Sequence, residues 1–502
     1  MRTTVPLTAL VLAAACADRV PTAPVDPISA ARVPVAVVTP RFWVGLKDGA
    51  TGLPASALAA AGASARVVDS IPNLHVLVVA GATNPSALQT DGVVAIEQEF
   101  TTQLNDQVMA SNDVSADAAS AATPWYQSGV QWDMRAMHAD FGWANTTQGS
   151  GVNVCIVDTG VDQGHQELAG RVAVRTNFVT DTAASEQTVE DLAGHGSHVA
   201  GTIGAGGVVI NGVAPQVTIM SARVLNAAGS GSGTAIVNGI MWCADHGAHV
   251  INMSLGGRIY GSAAYVNSVV PQIVSFYGQA INYATSRGTA VIVAAGNDNL
   301  QLPNPGGLQF TYPAQIQGVL SIGATGPVTK SSYASIATGF NPFDGTKVWQ
   351  SPDGRAFYSN YGTGVNVFAP GGFGSLPFSV PYYRYGGVTQ GSSLDNVYSL
   401  CAGTTAQTGA INVGGAPGSA GTCSGATNRY IAYAGTSMAT PHVAGLAALL
   451  YAELGGVRSA ANVTRILGCI KSTADNIGPS STFGNGRVNE QSAITAIRAG
   501  SC

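Results

Sequence analysis

The sequence predicts an α/β fold, a doubly wound parallel sheet with helices on both faces, preceded by a small α+β domain. Short, almost unbroken apolar runs at 152–158, 217–224, 249–255, 289–296, 318–324 and 365–369 alternate with helical patterns near 233–246, 274–287, 441–454 and 458–472. That is the rhythm of buried parallel strands joined by crossover helices. A separate, smaller set of strand and helix patterns lies upstream of residue 105. Composition agrees: 63 glycines and only 10% charged residues, against roughly 25% in ordinary domains, suit a large core threaded by tight loops. A formal charge of −5 and the lack of a basic run argue against nucleic acid as a partner.

At the N-terminus, Met1-Arg2 precedes an apolar run from Val5 to Ala15 that is too short to span a bilayer and closes in small residues. Residues 1–16 therefore read as an export signal. Ala13-Ala14-Ala15-Cys16 also resembles a bacterial lipoprotein box, with Leu12 one place too far upstream for the usual pattern. A secreted protein and one lipid-anchored outside the cytoplasm through Cys16 both stay open. Residues 17–34 and 105–123 lack a sustained apolar period and read as linkers. Between them, 35–104 form a compact unit with strands at Phe42-Trp43-Val44-Gly45-Leu46, Leu74 to Val79 and Val93 to Glu97, and a helix at 54–62.

The large domain spans 124–502. The run Val152 to Val157 delivers Asp158-Thr159-Gly160 at a strand's C-terminal end, the edge where open α/β sheets place ligand chemistry. Gly194-His195-Gly196-Ser197-His198 sets a histidine between two glycines before a small-residue helix, making His195 a candidate general base. A second buried strand, Thr289 to Ala295, ends in Gly296-Asn297. Gly435-Thr436-Ser437-Met438-Ala439-Thr440-Pro441 puts a serine at the mouth of an apolar helix, with Pro441 expected in the first turn, where its missing N–H costs nothing. Orphan N–H groups there would favour an anion beside Ser437; alternatively the serine merely caps a core helix.

Together, Asp158-Thr159-Gly160, the segment around His195 and the segment around Ser437, in that chain order, resemble the three signatures of subtilisin-like serine proteases, with a proteinase K-like character. The resemblance covers nearly all of 124–500 and implies a secreted endopeptidase made as a zymogen and self-processed. It implies that Ser437 is the nucleophile, His195 the general base and Asp158 the orienting carboxylate. Asn297 and the Ser437 N–H would form the oxyanion hole. Gly229, Ser230 and Gly231, with Ser254, Leu255 and Gly256, would flank an extended substrate; Gly256 leaves room for a bulky side chain near a pocket floor at Thr311. Residues 35–104 resemble the family's inhibitory propeptide, which makes the protein's own propeptide a partner beside protein or peptide substrates. No cofactor is required for catalysis. Relatives commonly bind calcium, but Asn366 stands where some have an aspartate ligand, so calcium is unassigned. A monomer is expected.

His198 lacks the further ligands of a zinc site and reads as packing; His165 and His442 are given no chemistry. Setting Cys16 aside, six cysteines allow 15 connectivities. We favour Cys155–Cys243, Cys401–Cys423 and Cys469–Cys502, with Cys155 and Cys243 as buried free thiols the alternative for the first pair. Insertions lie near 326–357 and 371–428; the second either shapes the active-site rim or is a disulfide-pinned surface loop without strands of its own. A non-catalytic protein-binding module on this fold and an esterase are the rival functions.

Overall fold

The structure, a computed structural model, describes residues 40–104, 125–128, 130–180, 184–326, 353–372, 384–385, 388–389, 396–405, 408–412, 421–425 and 428–502. The residues read as an export signal (1–16) and as linkers (17–34 and 105–123), most of 326–357 and part of 371–428 lie outside them.

The first unit comprises β1 (Arg41–Leu46), α1 (Ala55–Ala61), β2 (Arg66–Ile71), β3 (Val76–Ala80) and β4 (Val93–Gln98), its strands antiparallel in the order β2-β3-β1-β4. Alternation along β1 divides its side chains between two cores. Val44 and Leu46 join Val79, Leu88 and Ala61 in a small core under α1, whereas Trp43, with Ile71 and Val78, faces the large domain. A short strand, β5 (Thr101–Gln103), leaves this sheet.

The large domain opens with short helices α2 (Trp125–Ser128), α3 (Trp132–Ala136) and α4 (Ala139–Asn145). Then come β6 (Asn153–Asp158), β7 (Val172–Asn177), α5 (His195–Gly204), β8 (Thr218–Arg223), β9 (Ser230–Ser232), α6 (Gly233–Asp245), β10 (Val250–Met253) and β11 (Gly257–Tyr260). They are followed by α7 (Ala263–Ser286), β12 (Ala290–Ala294), β13 (Gln309–Tyr312), β14 (Val319–Gly326), β15 (Gly354–Arg355) and β16 (Val367–Pro370). The main sheet runs β15-β14-β12-β10-β6-β8-β7, with β16 also beside β14; every pairing is parallel except that of β15. Its central strands are buried on both faces, whereas the edge strand β7 is partly exposed. Val154 and Ile156 pack with one set of helices, Cys155 and Val157 with α6 and α7 on the other.

The helix expected from 274 begins at Ala263, where Ser262 accepts the Tyr265 N–H, and it continues through Pro271. Its first two turns are mostly exposed, so they lack the apolar period that marks the remainder.

The second insertion carries strands, contrary to the expectation of a bare loop. After β17 (Arg384–Tyr385) and β18 (Val388–Thr389) come β19 (Val397–Leu400), β20 (Thr408–Asn412), β21 (Gly421–Thr422) and β22 (Arg429–Tyr433), forming an antiparallel sheet β19-β22-β20-β21. The chain ends in α8 (Thr436–Glu453), α9 (Ala460–Ser472), α10 (Ser480–Phe483) and α11 (Glu490–Ala499). Cys155–Cys243, Cys401–Cys423 and Cys469–Cys502 are disulfide-bonded, with Cα separations of 5.9, 5.5 and 5.1 Å.

Two packed units thus meet across α6 and α7. Trp43 stacks on Phe276 with ring centroids 3.3 Å apart and donates from Nε1 to Thr234 Oγ1 at 2.8 Å. The N–H of Thr234 donates to Glu99 Oε1 at 2.7 Å, while the other Glu99 oxygen pairs with Arg41, and the N–H of Gly233 donates to the Phe100 carbonyl at 2.9 Å. The first unit therefore supplies acceptors, one of them anionic, to the positive N-terminus of α6.

Candidate active site

Three adjacent parallel strands deliver the site. Asp158 ends β6, Ser254 follows β10 and Asn297 follows β12, all at the C-terminal edge of the sheet. His195 begins α5 and Ser437 is the second residue of α8, two helices that pack against one another. All three groups are buried: Asp158 is 0% exposed, His195 and Ser437 4% each.

His195 Nδ1 lies 2.7 Å from Asp158 Oδ1. A carboxylate oxygen only accepts, so Nδ1 carries the proton and the neutral ring keeps Nε2 as its basic atom. The Thr159 N–H donates to the same oxygen at 2.7 Å, fixing the carboxylate's rotation. Gly194, at φ 86°, ends the preceding loop in a left-handed turn, and a Cβ at Gly196 would strike the Gly160 carbonyl, so only glycine lets the two segments approach.

A residue that sequence reasoning missed ties these segments together. Asp191, fully buried, accepts from Thr159 Oγ1 (2.8 Å), Ala193 N (3.1 Å) and Gly194 N (2.7 Å) on Oδ1, and from Ser197 N (2.8 Å) and Oγ (2.7 Å) on Oδ2. Thr159 Oγ1 in turn accepts from Gly196 N at 2.9 Å. Burial pushes the Asp191 carboxyl pKa up, and the Ser197, Gly194 and Thr159 donors oppose the shift. The available signal was an acidic residue four places before His195, just ahead of a helix start.

The Ser437 helix differs from expectation at its start. It begins at Thr436, so Pro441 lies in its interior and Ser437 in its first turn. In an α-helix the N–H of residue 441 would bond the carbonyl of 437; proline has none. Ser254 fills the vacancy, its Oγ donating to the Ser437 carbonyl at 2.8 Å, while Ser437 Oγ donates to the Ser254 carbonyl at 3.1 Å. Asn252 Nδ2 donates to Ser254 Oγ at 2.9 Å and completes the brace. Asn297 Oδ1 accepts from the Thr436 N–H at 2.9 Å and from Thr436 Oγ1 at 2.8 Å. The backbone donor identifies that atom as the oxygen, which turns the Nδ2 donors away from Thr436.

Beside these groups lie the segments expected to flank a substrate. Strand β5 pairs antiparallel with β9, matching Thr102 to Gly231 and Gln103 to Ser230, and the Leu104 N–H donates to the Gly229 carbonyl at 2.8 Å. Leu255 is buried in the core beneath, and Gly256 abuts the Tyr312 carbonyl, which a Cβ would approach to 2.9 Å. Thr311 is 3% exposed and stands behind Gly296. The insertion sheet lies against α5: Asp162 Oδ2 accepts the Gly403 N–H at 2.7 Å and Thr404 Oγ1 donates to the Asp191 carbonyl. The segment next to Cys401 therefore borders the loops that carry Asp158 and His195.

The other three histidines singled out in the sequence are structural. His198 stacks on Tyr433 and reaches the Val397 carbonyl, and burial lowers its pKa to about 3. His442 meets the Met438 carbonyl and Asp133; His165 meets the Arg429 carbonyl and the Glu167 N–H. Asn366 Oδ1 accepts the Ser321 N–H at 2.8 Å, so it is committed to sheet structure. Among the described residues no cluster of three or more His, Cys, Asp or Glu is placed to hold a metal ion.

A hydroxyl, an imidazole held by a carboxylate, and an amide donor beside a helix N-terminus are the parts of acyl transfer. The chain matches the Subtilase family (Peptidase_S8) over residues 149–486. It is 31% identical to thermitase of Thermoactinomyces vulgaris over 373 residues, covering 74% of this chain and 97% of that one. It is 30% identical to subtilisin Savinase of Lederbergia lenta over 366 residues, covering 72% and 98%. The fold also resembles the epidermin leader peptide processing serine protease of Staphylococcus aureus, with a TM-score of 0.65 over 91% of this chain and 97% of that one at 21% identity. These likenesses carry the family, not the proteinase K-like branch within it.

Proposed function

Because the chain belongs to the subtilase family and is a subtilisin-like serine endopeptidase, we propose that it cleaves proteins through Ser437, His195 and Asp158 after removing its own first unit. Ser437 Oγ attacks the peptide carbonyl, His195 Nε2 takes its proton and returns it to the leaving amine, and Asp158 stabilises the imidazolium. Asn297 Nδ2 and the Ser437 N–H receive the charge that builds on the carbonyl oxygen. The observation carrying this reading is the 2.7 Å Asp158–His195 contact beside a helix that starts at Thr436. No cofactor enters the chemistry.

Residues 35–104 act as an inhibitory propeptide. Supporting this is the way β5 adds to β9 as an extended strand, through main-chain bonds to the residues expected to hold substrate. The unit's cap on α6 supports it equally. The protein is exported through residues 1–16 and is either free outside the cytoplasm or held there by lipid at Cys16 until processing in 105–123 releases the catalytic domain, expected as a monomer. Among the described residues no helix is long and apolar enough to cross a membrane.

Casein hydrolysis compared with ester hydrolysis tests the activity. Purified protein should cut casein and shed its first unit, and Ser437→Ala should do neither. Rapid ester turnover without casein cleavage would make it an esterase. A folded protein without either activity would be a binding module.

A further inference from the structure

Strand β19 runs into a turn, 401–405, that the buried Cys401–Cys423 disulfide ties to residues 423–425. Inside the turn the Thr405 N–H and Oγ1 both donate to the Ala402 carbonyl, at 3.1 and 2.9 Å, and the Gly425 N–H donates to the Gly403 carbonyl at 2.8 Å. The two residues at its tip each hold a different loop of the active site. The Gly403 N–H donates to Asp162 Oδ2 at 2.7 Å, in the loop that follows Asp158, and the N–H of Asp162 itself donates to Ser197 Oγ at 2.9 Å. The Thr404 hydroxyl donates to the Asp191 carbonyl, in the loop that precedes His195. Beneath the turn, β19 packs on the helix that His195 begins, at Gly201, where a Cβ would strike Ser399 and Leu400.

We infer that the turn 401–405, held closed by Cys401–Cys423, is a positioning element for the catalytic pair: it fixes the loops of Asp158 and His195 relative to one another, and enzyme without that disulfide folds and binds substrate but turns over slowly. The inference rests on the reading of Asp158 and His195 as catalytic residues. With the bond present, Gly403 and Thr404 are ordered before they meet Asp162 and Asp191, so both hydrogen bonds form without the entropy of ordering the turn. With it absent, the turn drifts and the Asp162 carboxylate, which the Gly403 N–H holds by a charge-assisted bond, regains water. The loops then lose a common brace, and small displacements of a general base are expensive in rate. The segments at 229–231 and 254–256 do not take part, so substrate binding is spared.

The test compares two disulfides. Cys469–Cys502 spans 33 residues against 22 for Cys401–Cys423, so chain entropy gives the two nearly equal stabilising effects, but it ties the chain's last residue to α9, which packs on α7, α8 and α11. Enzyme processed from the full chain is assayed for kcat and KM on a chromogenic peptide, per titrated active site, and unfolding midpoints are measured in a Ser437→Ala background. Cys401→Ser with Cys423→Ser should lower kcat about tenfold with KM within about twofold. Cys469→Ser with Cys502→Ser should lower the midpoint by a similar amount and leave kcat within about twofold. Thr404→Val should lower kcat about threefold and Thr404→Ser should restore it, which decides the matter if the first cysteine pair is needed for folding. Equal kcat in the two disulfide variants, a loss confined to KM, or a Thr404→Val enzyme indistinguishable from the parent would overturn the inference and leave the protease reading standing. A parent enzyme that fails to cut casein would overturn both.

Discussion

Asp191 touches no substrate, yet its replacement should cost both stability and rate. Its carboxylate receives five hydrogen bonds from Thr159, Ala193, Gly194 and Ser197, which join the strand end bearing Asp158 to the helix start bearing His195. In Asp191→Asn the amide oxygen keeps the three donors on the Oδ1 side, but its NH2 then faces Ser197. The Ser197 hydroxyl can turn to accept; its backbone N–H cannot. One charge-assisted bond is lost and one donor confronts another, about 2–4 kcal/mol. Asp191→Ala strands all five donors, about 5 kcal/mol or more. A misplacement of His195 by an ångström costs about 10²-fold in kcat, so we expect about that loss for Ala and about tenfold for Asn. KM should hold, since the residues expected to flank substrate lie at 229–231 and 254–256, away from Asp191. The assay is kcat and KM on a chromogenic peptide, normalised by active-site titration, with thermal unfolding measured in a Ser437→Ala background to prevent autolysis. An Asp191→Ala enzyme with kcat within twofold of the parent and an unchanged unfolding midpoint would refute the reasoning.

On the proposed role of its amide as donor to the developing oxyanion, Asn297→Ala should lower kcat by about 10² to 10³ with little change in KM; an effect confined to KM would remove that role. Glu490 is fully buried against Gly142 near Asp140, and burial holds its pKa well above the ordinary carboxylate range. The folded state then binds this proton more tightly than the unfolded chain, so the stability it contributes is complete below the unfolded pKa and is lost as pH rises through the folded value. Glu490→Gln should accordingly raise the unfolding temperature more at pH 9 than at pH 5. Residues 35–104 added in trans should inhibit mature enzyme. Glu97 lines a cavity of about 360 Å³ between the two units, with Asp48, His75, Phe276 and Gln279, and burial raises its pKa to about 7. Inhibition should therefore weaken as pH rises from 5 to 8, and Glu97→Gln should flatten that dependence.

The parts legible in the sequence are those where one local stretch carries the signal. Val152 to Val157 is apolar on both pleat faces and is a central strand; glycines frame His195 because Gly196 meets Gly160. What escaped depends on distant partners. Asp191 looks like any loop acid until Thr159 is brought beside it. Ser254 gains its role only because Pro441, remote in sequence, leaves the Ser437 carbonyl without a helical donor. Strands β19 and β22 are short and pair non-locally, and β19 is buried against α5, so neither shows the alternation of a half-exposed strand. The cap of Glu99 on α6 joins residues 135 positions apart and has no local signature.

The most direct test of the account is covalent labelling of the processed enzyme with a serine-directed organophosphate or sulfonyl fluoride, mapped by peptide mass spectrometry. The account predicts one adduct, on Ser437, with casein hydrolysis lost in proportion to labelling, and almost none in His195→Ala. A folded, processed enzyme that hydrolyses casein while Ser437 stays unlabelled, or that carries its adduct on another serine, would contradict it.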